Sequence, residues 1–211
     1  MAGIEPMSTE HSSPPHVPRS QAHVLTWRTR DILVLAALSL VFGLVIIFVS
    51  GLYGLLSMAF SHALAGAIFS SFFLIPGLAT PYILRRPGAA FLGQVLIGFV
   101  QFPFDPGGWT SLTIYIMLGI LYELPFLVTR YRNYHLLTLI SGGIISNLLV
   151  LTIAGLAAGG FHIAPSIIIA AYVLIFVSGT IGPWLAKLLA DTIVKTGVLS
   201  SYAISDHTEQ I

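Results

Sequence analysis

Residues 32–50 read ILVLAALSLVFGLVIIFVS, an apolar run without a single charge. A hydrocarbon core about 30 Å thick needs about 20 such residues to cross it, so the run is a transmembrane helix and not part of a soluble core. It begins beyond residue 30 and lacks a following small-residue cleavage pattern, so it reads as a first span and not a removable signal. With that span set at 31–50, further apolar segments follow at approximately 60–84, 88–104, 110–129, 136–158 and 166–190. Proline, glycine or arginine punctuates the gaps, as in Arg85-Arg86-Pro87-Gly88, Asp105-Pro106-Gly107-Gly108, Arg130-Tyr131-Arg132-Asn133 and Gly159-Gly160-Phe161-His162. The expected fold is an all-α integral membrane protein, a bundle of six transmembrane helices.

Composition agrees. The 211 residues are 56% hydrophobic and 8% charged, against about 25% charged in an ordinary soluble domain. A net charge of +1 provides no basic field for nucleic acid, which is not an expected partner. The chain has no cysteine, which removes disulfides, thiolate metal sites and thiol redox chemistry. Residues 1–26, with Ser12-Ser13-Pro14-Pro15, lack apolar periodicity and read as a disordered cytoplasmic tail; 27–199 form the membrane domain and 200–211 a second cytoplasmic tail. His11, His16 and His23 in the first tail are too loosely spaced for a metal site.

All nine basic residues fall on one side of a six-span arrangement. Arg19, Arg28 and Arg30 precede span one, Arg85 and Arg86 join spans two and three, Arg130 and Arg132 join four and five, and Lys187 and Lys195 lie at the end. Because short loops rich in Lys and Arg stay inside, both termini are expected in the cytoplasm, with the loops near 51–59, 105–109 and 159–165 outside. The expected location is the plasma membrane of a prokaryote, as a multi-pass protein in the lipid bilayer.

Ionisable and amide side chains inside a bilayer are expensive and therefore mark candidate sites. Glu123, in Tyr122-Glu123-Leu124-Pro125, lies about 9 Å inside span four and is the one carboxylate well within a span. Its ordinary alternative is snorkelling or pairing with Arg130. Gln94 and Gln101, with Gly98 between them, share one face of span three; a polar pocket would use them as donors and acceptors, and helix–helix hydrogen bonding is the plain alternative. Asn147 in span five could complete that interior. Trp109, Tyr53 and Tyr115 near the outer ends are candidates to wall a flat ligand, or interfacial anchors. Ala36, Ser39 and Gly43 form a small-residue stripe on span one, suited to close approach by a partner helix or by the bundle itself. His62 reads as interfacial.

No Gly-x-x-x-x-Gly-Lys-Ser/Thr run exists, so energy from ATP has to come through partners. There is no His-Glu-x-x-His, and Ser141-Gly142 and Ser178-Gly179 lack a nucleophile context. No chemical conversion, and no cofactor or metal, is expected. The alternative class is an ion-coupled secondary transporter or membrane-embedded enzyme built on Glu123, although only Pro76 and Pro81 suggest the broken helices of such transporters.

Three strings carry a resemblance: Trp27-Arg28-Thr29-Arg30-Asp31, Arg85-Arg86-Pro87-Gly88-Ala89-Ala90 and Leu185-Ala186-Lys187-Leu188-Leu189-Ala190-Asp191. In order and spacing the chain from residue 27 to about 199 resembles the YkoE family of substrate-binding S components of energy-coupling factor (ECF) transporters. The resemblance implies capture of thiamine or its hydroxymethylpyrimidine precursor at the outer face. It also implies docking on a transmembrane T component driven by two cytoplasmic ATPase subunits. On that resemblance Glu123 matches an acidic residue of the fourth helix, and the Ala36, Ser39, Gly43 stripe occupies the element that contacts the T component. The usual pair of alanines four apart is missing, since Leu40 follows Ala36.

Overall fold

The structure, a computed structural model, describes residues 27–60, 62–157 and 164–195. The expected tails, their histidines and the Gly159–His162 loop lie outside these residues. Six helices run in order: α1 Thr29–Ala59, α2 His62–Leu84, α3 Ala89–Gln101, α4 Trp109–Val128, α5 Leu136–Ala157 and α6 Pro165–Lys195. Among the described residues there is no strand.

Five of the six helices are long and apolar enough to cross a membrane. The exception is α3, the shortest helix of the six. Helix α3 has 13 residues, about 20 Å of rise, and falls short of a bilayer core. Its limits are set locally. Gly88, at φ +81, starts it after Pro87; Phe102 is still helical, its N–H on the Gly98 carbonyl at 2.9 Å, and Pro103, which has no N–H to continue the ladder, ends it. The chain then folds back, Phe104 and Asp105 donating their N–H groups to the Gln101 carbonyl at 2.8 and 3.0 Å.

One correction concerns residues 51–59, expected as an outer loop and found inside α1. Gly51 and Gly54 cost a helix only about 1 kcal/mol each, and Leu52, Leu55 and Leu56 with no proline keep it going. Helix α2 is likewise continuous through Pro76 and Pro81; the Thr80 hydroxyl donates to the Pro76 carbonyl at 2.8 Å.

Around the bundle the neighbours run α1, α3, α4, α5, α6, α2 and back to α1, with α2 also reaching α3, α4 and α5 across the middle. The half of α2 from Pro76 to Leu84 is accordingly buried on every side. Membrane helices gain little from excluding water, so they associate through close approach and polar contacts. Both occur here. A methyl group at Gly179 would stand 2.8 Å from the Ile144 Cα, and one at Gly142 would stand 2.5 Å from Pro125. Ser71 donates to the Ser178 carbonyl at 3.2 Å, while Ser178 donates to the Ala67 carbonyl at 2.9 Å, stitching α2 to α6.

The small residues of α1 are spent in the same way. Ser39 is buried and donates to the Gly93 carbonyl at 3.4 Å; a methyl at Gly43 would lie 2.7 Å from Val100. The close approach made by Ser39 and Gly43 is therefore to α3 within this chain, the bundle-packing alternative of the two expected. Ala36 faces outward.

Candidate functional site

The two ends of the bundle differ in charge. Asp31 at the start of α1 is buried and accepts from the Arg28 N–H at 3.1 Å and from Arg86 Nε at 3.0 Å. Trp27 Nε1 donates to the Pro87 carbonyl at 3.2 Å. At the close of α2 and α6, Tyr82 donates to Asp191 at 3.1 Å, and Lys187 pairs with the same carboxylate at 2.5 Å. The three strings that carry the family resemblance thus meet at one end, here termed the arginine end, where they clamp α1, α2, α3 and α6 together.

Glu123 belongs to this clamp. Its Oε1 accepts from the Gly88 N–H at 2.7 Å, and its Oε2 from the Ala90 and Phe91 N–H groups at 2.9 and 3.1 Å. The first turn of any helix leaves N–H groups without partners and carries partial positive charge, so a carboxylate there is doubly stabilised. Glycine at the N-cap gives α3 no side chain of its own for this purpose. Glu123 supplies one from α4. Next to it, burial pushes the Tyr134 phenol up to about 12; the Glu123 charge adds to that, and Arg85, 5.6 Å from the ring centre, opposes it.

Beyond the first turn of α3 the polar residues point inward. Gln94 and Gln101 are almost fully buried, and neither Nε2 atom has an acceptor. Seven residues apart, they are separated by about 10 Å along the helix. Gln94 abuts Gly77 and Tyr122: a methyl on Gly77 would come within 2.8 Å of Gln94 Nε2 and 2.2 Å of the Tyr122 ring. Gln101 lies on the same face as Gly98, where a methyl would stand 2.8 Å from the Tyr115 Cβ. Glycines at 77 and 98 thus let two phenol rings and two amides share one narrow column between α2, α3 and α4.

From Gln94 to Gln101 the column runs toward the α3–α4 turn, at the end opposite the arginines. Asp105 in that turn accepts from the Gly107 N–H at 2.7 Å and interacts electrostatically with Tyr115. Phe102 and Trp109 make an edge-to-face pair with centroids 5.0 Å apart, and Trp109 is 73% exposed. Of the remaining candidates, Asn147 is buried with its Nδ2 lacking an acceptor. It lies one turn beyond Gly143, whose added methyl would meet Pro183 and Leu74. Tyr53 sits at the same end as Asp105 but contacts α2, through His62 Nδ1 at 3.4 Å and the rings of Phe69 and Phe73.

The structure therefore brings together Gln94, Gln101 and Tyr115, leaves Trp109 exposed at the start of α4, and places Glu123 in the clamp. Sequence reasoning did not single out Tyr122, Gly77 or Asp105 as site residues. For Asp105 a signal existed, since it is the one carboxylate in the loops without arginine or lysine. A separate, wholly apolar groove of about 520 Å³ runs between α1, α2 and α6, lined among others by Val34, Ala37, Val41, Phe72 and Leu189. It shares no residue with the column.

Comparison with known proteins agrees with the helical fold. The sequence model of the family described as "ABC-type cobalt transport system, permease component" matches residues 30–149. Similarity also extends to a Bacillus subtilis (strain 168) protein named as the HMP/thiamine permease protein YkoE, 25% identical over 181 residues, or 85% of this chain and 90% of that one. A solved structure described as the crystal structure of an S component of an ECF transporter superposes with a TM-score of 0.78 at 25% identity, covering 88% of this chain and 94% of that one. Matched by the family over more than half its length, the chain belongs to the permease component family of ABC-type cobalt transport systems and is a YkoE-type S component.

Proposed function

We propose that this chain is the substrate-binding subunit of an ATP-driven importer for thiamine or its hydroxymethylpyrimidine precursor. It works with a transmembrane T component and two cytoplasmic ATPase subunits. The observation that carries the reading is the pair of buried amides, Gln94 and Gln101, whose Nε2 groups have no acceptor. Leaving such a donor unpaired costs about 1–3 kcal/mol, a deficit that a ligand with ring nitrogens or a hydroxyl would remove. Tyr115 and Trp109 supply faces for stacking on a flat heterocycle. The name of the Bacillus relative points to the same ligands.

The family description mentions cobalt, but amide and phenol groups suit an organic ring better than a divalent cation. Among the described residues no three His, Cys, Asp or Glu side chains converge. The relatives are transporter components, so the reading is of a carrier and not a catalyst. Glu123, the carboxylate on which a secondary transporter or membrane enzyme would depend, is engaged by three backbone N–H groups. With the basic residues inside, the arginine end faces the cytoplasm and the Asp105 turn faces outward, where the ligand enters.

Proteoliposomes test the division of labour. The chain alone should bind labelled vitamin without accumulating it, and accumulation should require the T component, both ATPases and ATP. Uptake by the chain alone under an ion gradient would overturn the proposal.

A further inference from the structure

We propose that Asp105 is the residue by which this chain prefers a cationic ligand over a neutral one; the inference rests on the function proposed above. Four carboxylates lie among the described residues. Asp31, Glu123 and Asp191 are all committed at the arginine end, to Arg86, to the α3 N-terminus and to Tyr82 with Lys187. Asp105 is at the other end, where none of the described Lys or Arg residues stands.

Its position suits recognition. The turn folds back on the Gln101 carbonyl, which holds the Asp105 backbone directly beyond the last amide of the column. The Gly107 N–H fixes Oδ1 at 2.7 Å, so the carboxylate is oriented and still partly open to solvent. Three residues before Asp105 and four after it stand Phe102 and Trp109, which pack edge to face and leave Trp109 largely exposed beside the turn. An anion in the same turn as exposed aromatic surface attracts a delocalised organic cation through charge and cation–π contact together. A neutral ring gains only stacking and the amide hydrogen bonds deeper in. The ligand chemistry this implies is a flat heteroaromatic group seated against Gln94 and Gln101, joined to a positively charged ring that stays at the Asp105 turn.

Calorimetric titration of the purified full chain with thiamine, a permanent cation, and with neutral hydroxymethylpyrimidine tests this. Wild type should bind thiamine more tightly. Asp105→Asn should weaken thiamine about ten- to a hundred-fold while changing hydroxymethylpyrimidine less than about twofold, and Asp105→Glu should restore most of the difference. Raising salt should weaken thiamine binding to wild type and leave the neutral ligand unaffected, a comparison that needs no variant to fold. Equal losses for both ligands in Asp105→Asn, or thiamine binding insensitive to salt, would overturn the role of Asp105 while leaving the importer reading intact. Failure of wild type to bind either ligand would overturn both.

Discussion

Replacing Glu123 with glutamine separates a structural carboxylate from a ligand-binding one. In the folded chain its two oxygens accept from three backbone N–H groups of α3, at 2.7, 2.9 and 3.1 Å. A glutamine amide has one oxygen. If that oxygen keeps the Ala90 and Phe91 contacts, the NH2 group is turned toward the Gly88 N–H, donor against donor. One charge-assisted bond is worth about 1.5–3 kcal/mol, and loss of the negative charge at a helix N-terminus removes about 0.3–1 kcal/mol more. The total is about 2–4 kcal/mol. For a chain of this size that corresponds to a fall in melting temperature of about 5–15 °C, measurable by circular dichroism in detergent. Ligand affinity, titrated well below the transition, should change less than about twofold. An unchanged melting temperature together with a tenfold or greater loss of affinity would refute this account and return Glu123 to the ligand.

Further outcomes follow from other contacts. Arg86→Met leaves Asp31 buried without its cation and should destabilise by about 3–5 kcal/mol, whereas the double change with Asp31→Asn should recover much of the loss in thermal unfolding. Gly77→Ala inserts a methyl 2.2 Å from the Tyr122 ring and should cost about 1–3 kcal/mol and weaken both vitamins together by displacing Gln94. Tyr134, raised to about 12 from an ordinary 10.0, binds its proton more tightly folded than unfolded. Its contribution is full below pH 10 and is lost as the pH rises through about 12, so Tyr134→Phe should flatten the alkaline fall in stability.

The helical spans and the two-sided charge pattern were legible because they depend on local composition: apolar runs of span length, and arginines confined to alternate loops. The inward face of α3 was legible too, since a spacing of seven puts Gln94 and Gln101 on one side whatever surrounds them. What was not legible depends on which helix lies beside which. Ser39 and Gly43 permit close approach without naming the partner, and α3 turned out to be the partner. Glu123 looks like a site residue in isolation; its role depends on α3 beginning beside α4. The clue was indirect, a helix start at Pro87-Gly88 with no side chain to cap it. The shortness of α3 followed from Pro103, which apolar counting passed over because Phe102 and Phe104 extend the hydrophobic run. Asp105 was hidden for the opposite reason, since a loop carboxylate beside proline and two glycines reads as turn chemistry.

Binding is the claim on which the rest stands, and titrating the purified chain with thiamine and hydroxymethylpyrimidine measures it directly. The account predicts saturable binding of at least one of them at one site per chain, lost when Gln94 and Gln101 are both replaced by leucine in protein that still melts cooperatively. Absence of binding for both compounds with the folded wild-type chain, or affinity unaffected by that double replacement, would contradict it.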